Sequence, residues 1–186
     1  KVFGIFNYGF SATNILSVQE RLTRDTSFGG ASFPAILPRQ FDLILIESMG
    51  HNPLSEYPLT VGLKRQTKAV HGIVKSIVAT HPESAIVFVA TIAPNKEKYA
   101  AASRDLSPEK RKEWAEERMA YIGNHIRYAQ LHQISLINIY EKSLKDGDGN
   151  LKYIDVFDYV HPSVSGVDLI SREIAGFISQ NNLLPH

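Results

Sequence analysis

The chain has 186 residues, 44% hydrophobic and 21% charged, which suits one domain around a single core. Its formal net charge of +1 gives no electrostatic case for nucleic acid or an anionic membrane surface. Cysteine is absent, which excludes disulfides, zinc–thiolate sites and a thiol nucleophile, and no apolar run approaches the roughly 18 residues of a membrane span.

The chain starts at Lys1 rather than Met, as a processed or trimmed product would. Val2–Phe6 (VFGIF) predicts a first buried strand, running into the turn FNYGFSATN. Hydrolases often keep a nucleophile on such a strand-to-helix turn, which makes Ser11 a candidate. Gly9 can bring its backbone N–H close to a ligand because it has no side chain. The plainer reading is that Ser11, Thr13 or Asn14 caps a short helix over 14–24. No strand is expected before Gly29 and Gly30 of SFGGASFP. Leu43–Glu47, Ala85–Thr91 and Ser135–Tyr140 are rich in Ile, Val and Leu without alternation, as parallel strands covered on both faces are. Between them, Thr60–Thr80 places Leu63, Val70, Ile73, Val74, Ile77 and Val78 on one helical stripe. Ser107-Pro108 predicts a cap and first helical residue, with Trp114, Met119, Ile122 and Ile126 behind it. A last helix over about 165–179 carries Val167, Ile170, Ile174, Phe177 and Ile178 inward.

This alternation predicts an open α/β sandwich with right-handed crossovers, one domain with no internal repeat. Ligands bind such sheets beyond the carboxyl ends of the strands. That rule selects Asn7–Ser11, Ser48–Pro53, Ile92–Asn95 and Tyr140–Ser143. Two stretches have the right chemistry, the second of them already selected by that rule. In DYVHPS, residues 158–163, Asp158 and His161 are three apart on a loop. A carboxylate there can hold the imidazole by one ring N–H and leave the other nitrogen free to take a proton. An incidental surface histidine has the same spacing. In ESMGHNPL, Gly50 allows a tight turn, and Asn52 can aim an amide N–H at a developing oxyanion or simply cap a helix. His51 either lines the same site or is a bland turn residue.

DGDGN, residues 146–150, has alternating acids but lacks the rest of a calcium loop, and reads as a tight turn. His125 and His132 are seven apart, a packing spacing rather than a metal-binding pair. The mixed charges of SPEKRKEWAEER read as a solvated helix face. No metal site or cofactor is expected.

Taken together, NYGFSATN, GHNP and DYVHP resemble the conserved blocks of the SGNH hydrolases, also called the GDSL esterases and lipases, over nearly the whole chain. The resemblance implies a three-layer α/β/α sandwich with a parallel, flavodoxin-like sheet. It implies a serine ester hydrolase with His161 as base and Asp158 as the acid that orients it. Gly9 N–H and the Asn52 amide would form the oxyanion hole. Pro53 stands where the family usually has aspartate. The implied substrate is a small-molecule or carbohydrate ester. Export is a family tendency that these residues neither support nor oppose, and they leave oligomeric state open.

The family's glycine-aspartate-serine block is absent from this sequence. Two readings stay open. In one, the nucleophile strand and its helix, roughly 30 residues, lie upstream of Lys1. In the other, Gly9–Ser11 is a degenerate nucleophile block and Ser11 attacks; the second block would then fall near Gly29 and Gly30. The interval from Asn7 to Phe41 fits the first reading. Rivals of other classes are a non-catalytic carbohydrate- or partner-binding domain on the same fold, and an O-acyltransferase.

Overall fold

The computed structural model describes residues 4–184. A 3-10 turn at Ile15–Ser17, capped by the Asn14 side chain, leads into α1 (Val18–Thr23). A hairpin follows, β1 (Thr26–Phe28) and β2 (Ala31–Phe33). Then come β3 (Leu43–Glu47), α2 (Leu59–Thr80), β4 (Ala85–Ala90), α3 (Pro108–Leu131) and β5 (Ser135–Asn138). The chain ends with α4 (Ile139–Lys142), the small hairpin β6 (Leu144–Lys145) and β7 (Asp148–Gly149), and α5 (Val164–Gln180).

The sheet is parallel, in the order β3-β4-β5. Alternate side chains of each strand point to opposite faces. From β3 and β4, Ile46 and Phe88 face α1, α2 and α3, packing with Leu22, Val70, Ile73, Ile77, Tyr128 and Ala129. Val87, Val89 and Ile137 face the other way, toward Ile154 and Leu169 of the α5 side. Helices therefore cover both faces of a central sheet, the expected α/β/α sandwich. Helix α5 covers the β4–β5 half of its face, and Leu45 on β3 stays 40% exposed. Strand β3 pairs only with β4 among the described residues, so its outer edge carries free N–H and C=O groups.

Several expectations need correction. Val2 and Phe3 lie outside the described residues, and Gly4–Phe6 form no strand. Ile5 and Phe6 are exposed, and Phe6 lies under the Arg39 guanidinium instead of in the sheet. The parallel sheet thus has three described strands where four were expected. A strand does precede Gly29 and Gly30. It is short and antiparallel, and the two glycines take φ of +58° and +80°, the geometry of a two-residue hairpin turn. Ser135–Tyr140 stops as a strand at Asn138, whose side chain caps α4 at Glu141 N. Val78 and Val167 are more than half exposed, and Leu169 is the buried apolar side chain of α5 instead. On α3 the inward face is Ala115, Tyr121, Ile122, His125, Tyr128 and Ala129, largely polar-aromatic and so invisible to an aliphatic count.

The Ser107 cap falls where the sequence places it, and Ser163 caps α5. Ser107 Oγ accepts from Lys110 N with Pro108 in the first turn, and Ser163 Oγ accepts from Gly166 N at the start of α5. DGDGN is a turn: Asp146 and Gly147 have positive φ, and Asp148 accepts from Lys96 N and Asn95 Nδ2. Those donors leave its carboxylate to the protein. No group of three or more metal-ligating side chains occurs among the described residues, and none of their helices is long and apolar enough to cross a membrane.

Candidate active site

Asp158 and His161 sit on the loop between the 3-10 turn Leu151–Tyr153 and α5. That loop is pinned at both ends. Asp155 N donates to His161 O at 2.8 Å, Ile154 bridges Pro162, and Ser163 N donates to Tyr153 O. Gly166 lets α5 approach: a Cβ there would lie 2.2 Å from the Tyr153 carbonyl oxygen. In the middle, Asp158 Oδ1 accepts from Val160 N at 2.7 Å and His161 N at 3.0 Å. Its other oxygen, Oδ2, is 2.5 Å from His161 Nδ1. Three donors thus converge on one carboxylate. Partial burial pushes the Asp158 carboxyl up, but the His161 ring, its backbone N–H and that of Val160 outweigh it and hold the group below its ordinary value. The imidazole is fixed through Nδ1, which leaves Nε2 open, and the His161 side chain is 75% exposed.

The turn after β3 brings a second histidine to the loop. Met49 takes φ of +50° and donates its N–H to Glu47 Oε2, while Asn52 N closes the turn on Met49 O. Gly50 is not the left-handed residue. It is needed for space, since a Cβ there would meet Ile122 Cγ1 at 2.2 Å. Gly50→Ala is expected to cost about 1–3 kcal/mol by overpacking, read as a fall in melting temperature of about 5 °C. An unchanged melting temperature would show that Ile122 yields without cost. His51 packs parallel to Tyr99, its Nδ1 3.5 Å from the phenol oxygen. Burial pushes its imidazole down to about 4, helped by the charges of Arg118 and His161. His51 is therefore neutral wherever His161 would act as a base.

A pocket of about 470 Å³ opens beside the pair, lined by Tyr99, Ser103, Arg104, Trp114, Arg118 and His161 among others. It joins the segment after β4 to α3 and to the histidine loop, through Ala100 N to Tyr159 O at 3.3 Å. Sequence reasoning missed Tyr99, Arg104, Trp114 and Arg118 as pocket residues. The spacing of Trp114 and Arg118, four apart on one helix face, was the available signal.

The other expected residues lie as follows. The Asn52 side chain is exposed and makes no hydrogen bond among the described residues. Gly9 N donates to Asn7 Oδ1 at 2.8 Å. Ser11 is exposed on a turn with Ala12 at φ of +56°. No hydrogen bond among the described residues links Gly9 or Ser11 to Asn52, Asp158 or His161. The opening turn is held instead by Arg21, which donates to Tyr8 O at 2.8 Å, Thr13 Oγ1 at 2.7 Å and Ser17 Oγ. Ser103, the serine of the pocket, turns its hydroxyl to the carbonyls of Ala100 and Asp158, 3.4 Å from each.

No protein-family model matches the sequence, and no curated protein matches it. Solved structures do. A lipase/acylhydrolase from Enterococcus faecalis superposes with a TM-score of 0.58 at 14% identity, covering 91% of this chain and 72% of that one. A GDSL-like lipase from Bacteroides thetaiotaomicron gives a TM-score of 0.51 at 18% identity, covering 75% of this chain and 63% of that one. Against three of these neighbours the chain spans 62–63% of their length. The chain has the fold of the GDSL-like lipases and acylhydrolases, the SGNH hydrolase-like fold.

Proposed function

We propose that this chain carries the acid and base of a serine ester hydrolase that cleaves an acyl or carbohydrate ester. The observation that supports this most is the Asp158–His161 hydrogen bond at 2.5 Å, with Nε2 open beside a pocket. A serine hydroxyl attacks the ester carbonyl while His161 Nε2 takes its proton. His161 then returns that proton to the departing alcohol, and water hydrolyses the acyl-enzyme by the same route. Asp158 holds Nδ1–H and stabilises the imidazolium. The Asn52 amide and Gly9 N–H, once released from Asn7, donate to the oxyanion. These steps call on no metal or organic cofactor.

The nucleophile is proposed to come from residues preceding Lys1, on a strand that pairs with the free edge of β3. That edge is where a further parallel strand fits, and the exposed His161 ring leaves room for its serine. Treating the polypeptide as encoded, with whatever precedes Lys1, with a fluorophosphonate tests this. Labelling is expected at one serine upstream of Lys1, lost in His161→Ala and kept in Ser11→Ala and Ser103→Ala. Label found on Ser11 or Ser103 would overturn this source of the nucleophile. No label at all would favour the binding-domain reading, which the lack of any serine hydrogen-bonded to His161 among the described residues also favours.

A further inference from the structure

The pocket beside His161 offers more cationic hydrogen-bond donors than ester cleavage uses. The Arg118 guanidinium lies between the Tyr99 and Trp114 rings, 5.1 Å from each centroid. Its Nε donates to Tyr99 Oη at 2.9 Å, and Nη1 donates to Glu117 Oε2 at 2.8 Å and Trp114 O at 3.2 Å. A guanidinium has five N–H donors. Those contacts use the donors of Nε and Nη1, so the two on Nη2 have no acceptor among the described residues. The side chain is only 11% exposed, yet Nη2 is not among the buried atoms without a partner, so its donors reach the pocket and are open to an acceptor there. Arg104 lines the same pocket and makes no side-chain hydrogen bond or ion pair among the described residues. The local carboxylates do not cancel this surplus. Glu117 offsets the charge of Arg118 and Asp158 that of Arg104, but Asp158 is committed to three donors of its own loop, so the surplus is one of unpaired N–H donors and not of net charge.

We propose that this pocket binds an oxyanion of the substrate, a carboxylate or a phosphate, so that the enzyme acts on esters of acidic molecules. A planar guanidinium fork matches such a group bidentately, and Trp114 supplies an apolar wall beside it. A neutral ester would leave the Nη2 donors unpaired, so the pocket discriminates by what a neutral substrate cannot satisfy. The pocket's role as a substrate site rests on the esterase reading, whereas its affinity for an oxyanion does not.

Trp114 is the chain's only tryptophan, so its fluorescence reports on this pocket alone. The test is titration with glucuronate, glucose 6-phosphate and glucose at matched ionic strength. A saturable change is expected with one or both acidic sugars and none with glucose, the two acids showing whether a carboxylate or a phosphate is preferred. High salt should weaken it. Arg104→Gln should weaken acidic-sugar binding about tenfold, while Lys112→Gln, the same charge change on the exposed face of α3, should leave it unaltered. Arg104 is exposed, so its replacement does not endanger the fold. Equal response to glucose, no response to either acid, or undiminished binding by Arg104→Gln overturns the proposal. The esterase reading fails separately: acidic sugars bound without any fluorophosphonate labelling would sink that reading and support the oxyanion site. Labelling without acidic-sugar binding would do the reverse.

Discussion

Asp158→Asn, made in the polypeptide as encoded, is expected to lower kcat for ester hydrolysis by about 10⁴, with KM changed little. The structure gives the reason. Asp158 Oδ1 can still accept from Val160 N and His161 N after the change, so the loop keeps its shape. The amide NH₂ then takes the place of Oδ2 and must donate to His161 Nδ1. That forces the proton onto Nε2, the nitrogen that has to receive the nucleophile's proton. His161→Ala is expected to lose at least as much. A variant whose pH–rate profile and kcat match the parent would remove Asp158 from the mechanism. The native hydrogen bond also bears on stability. The carboxyl is held below its ordinary value, so its contribution is present at neutral pH and is lost only as pH falls through the folded-state value.

The second large effect concerns His125. Its ring is fully buried and stacks on Phe88 with centroids 4.2 Å apart. Neither ring nitrogen has a hydrogen-bond partner of good geometry among the described residues. Burial pushes the imidazole down to about 4, and the nearby Ile46 carbonyl offsets this only in part. Between about pH 6.5 and pH 4 the unfolded chain binds a proton here that the folded chain does not. Stability therefore rises with pH across that window, and by linkage it falls by about 3 kcal/mol on acidification to pH 4. His51 acts in the same direction with a more accessible ring. His125→Phe keeps the stack on Phe88 and loses no hydrogen bond. Melting temperatures should then match or exceed the parent at pH 7 and decline less steeply toward pH 4.5. An unaltered slope would mean that the ring is hydrated or ionised in the folded protein.

Most of the fold was legible because its strands are apolar runs at the centre of the sandwich, β4 above all. Leu43–Ile46 and Ala85–Ala90 are unbroken apolar runs of strand length, and the 3.6-residue stripe of α2 is strong. The same logic failed for VFGIF. Apolar composition licenses a strand only where a neighbouring edge receives it, and Gly4–Phe6 meet none. Gly29-Gly30 between short β-prone runs was a hairpin signal, outweighed by the expectation of a buried strand or nothing. On α3, Tyr121, His125 and Tyr128 look like surface residues until Phe88 and Gln66 are brought against them. In the site, Asp158 and His161 were legible because their contact is local, three residues apart on one loop. Tyr99, Trp114 and Arg118 were not, because their convergence depends on the crossover from β4 to α3. Gly50 was singled out for the wrong reason: its need is set by Ile122, 72 positions away in sequence, and not by its own backbone angle.

Without the upstream strand proposed above, the bare edge of β3 would also govern how residues 1–186 behave as a substance. It is apolar at Leu45 and bordered by unpaired amides, with no lysine or proline in Leu43–Glu47 to repel a second copy. Two molecules can zip together along it, and each gains the backbone partners it lacks. Colloidal stability is then expected to depend on concentration, with dilute samples dispersed and concentrated ones sticking edge to edge. A lysine at position 45 blunts that edge, and a soluble preparation after Leu45→Lys would identify sticking of strands, rather than poor packing, as what limits yield.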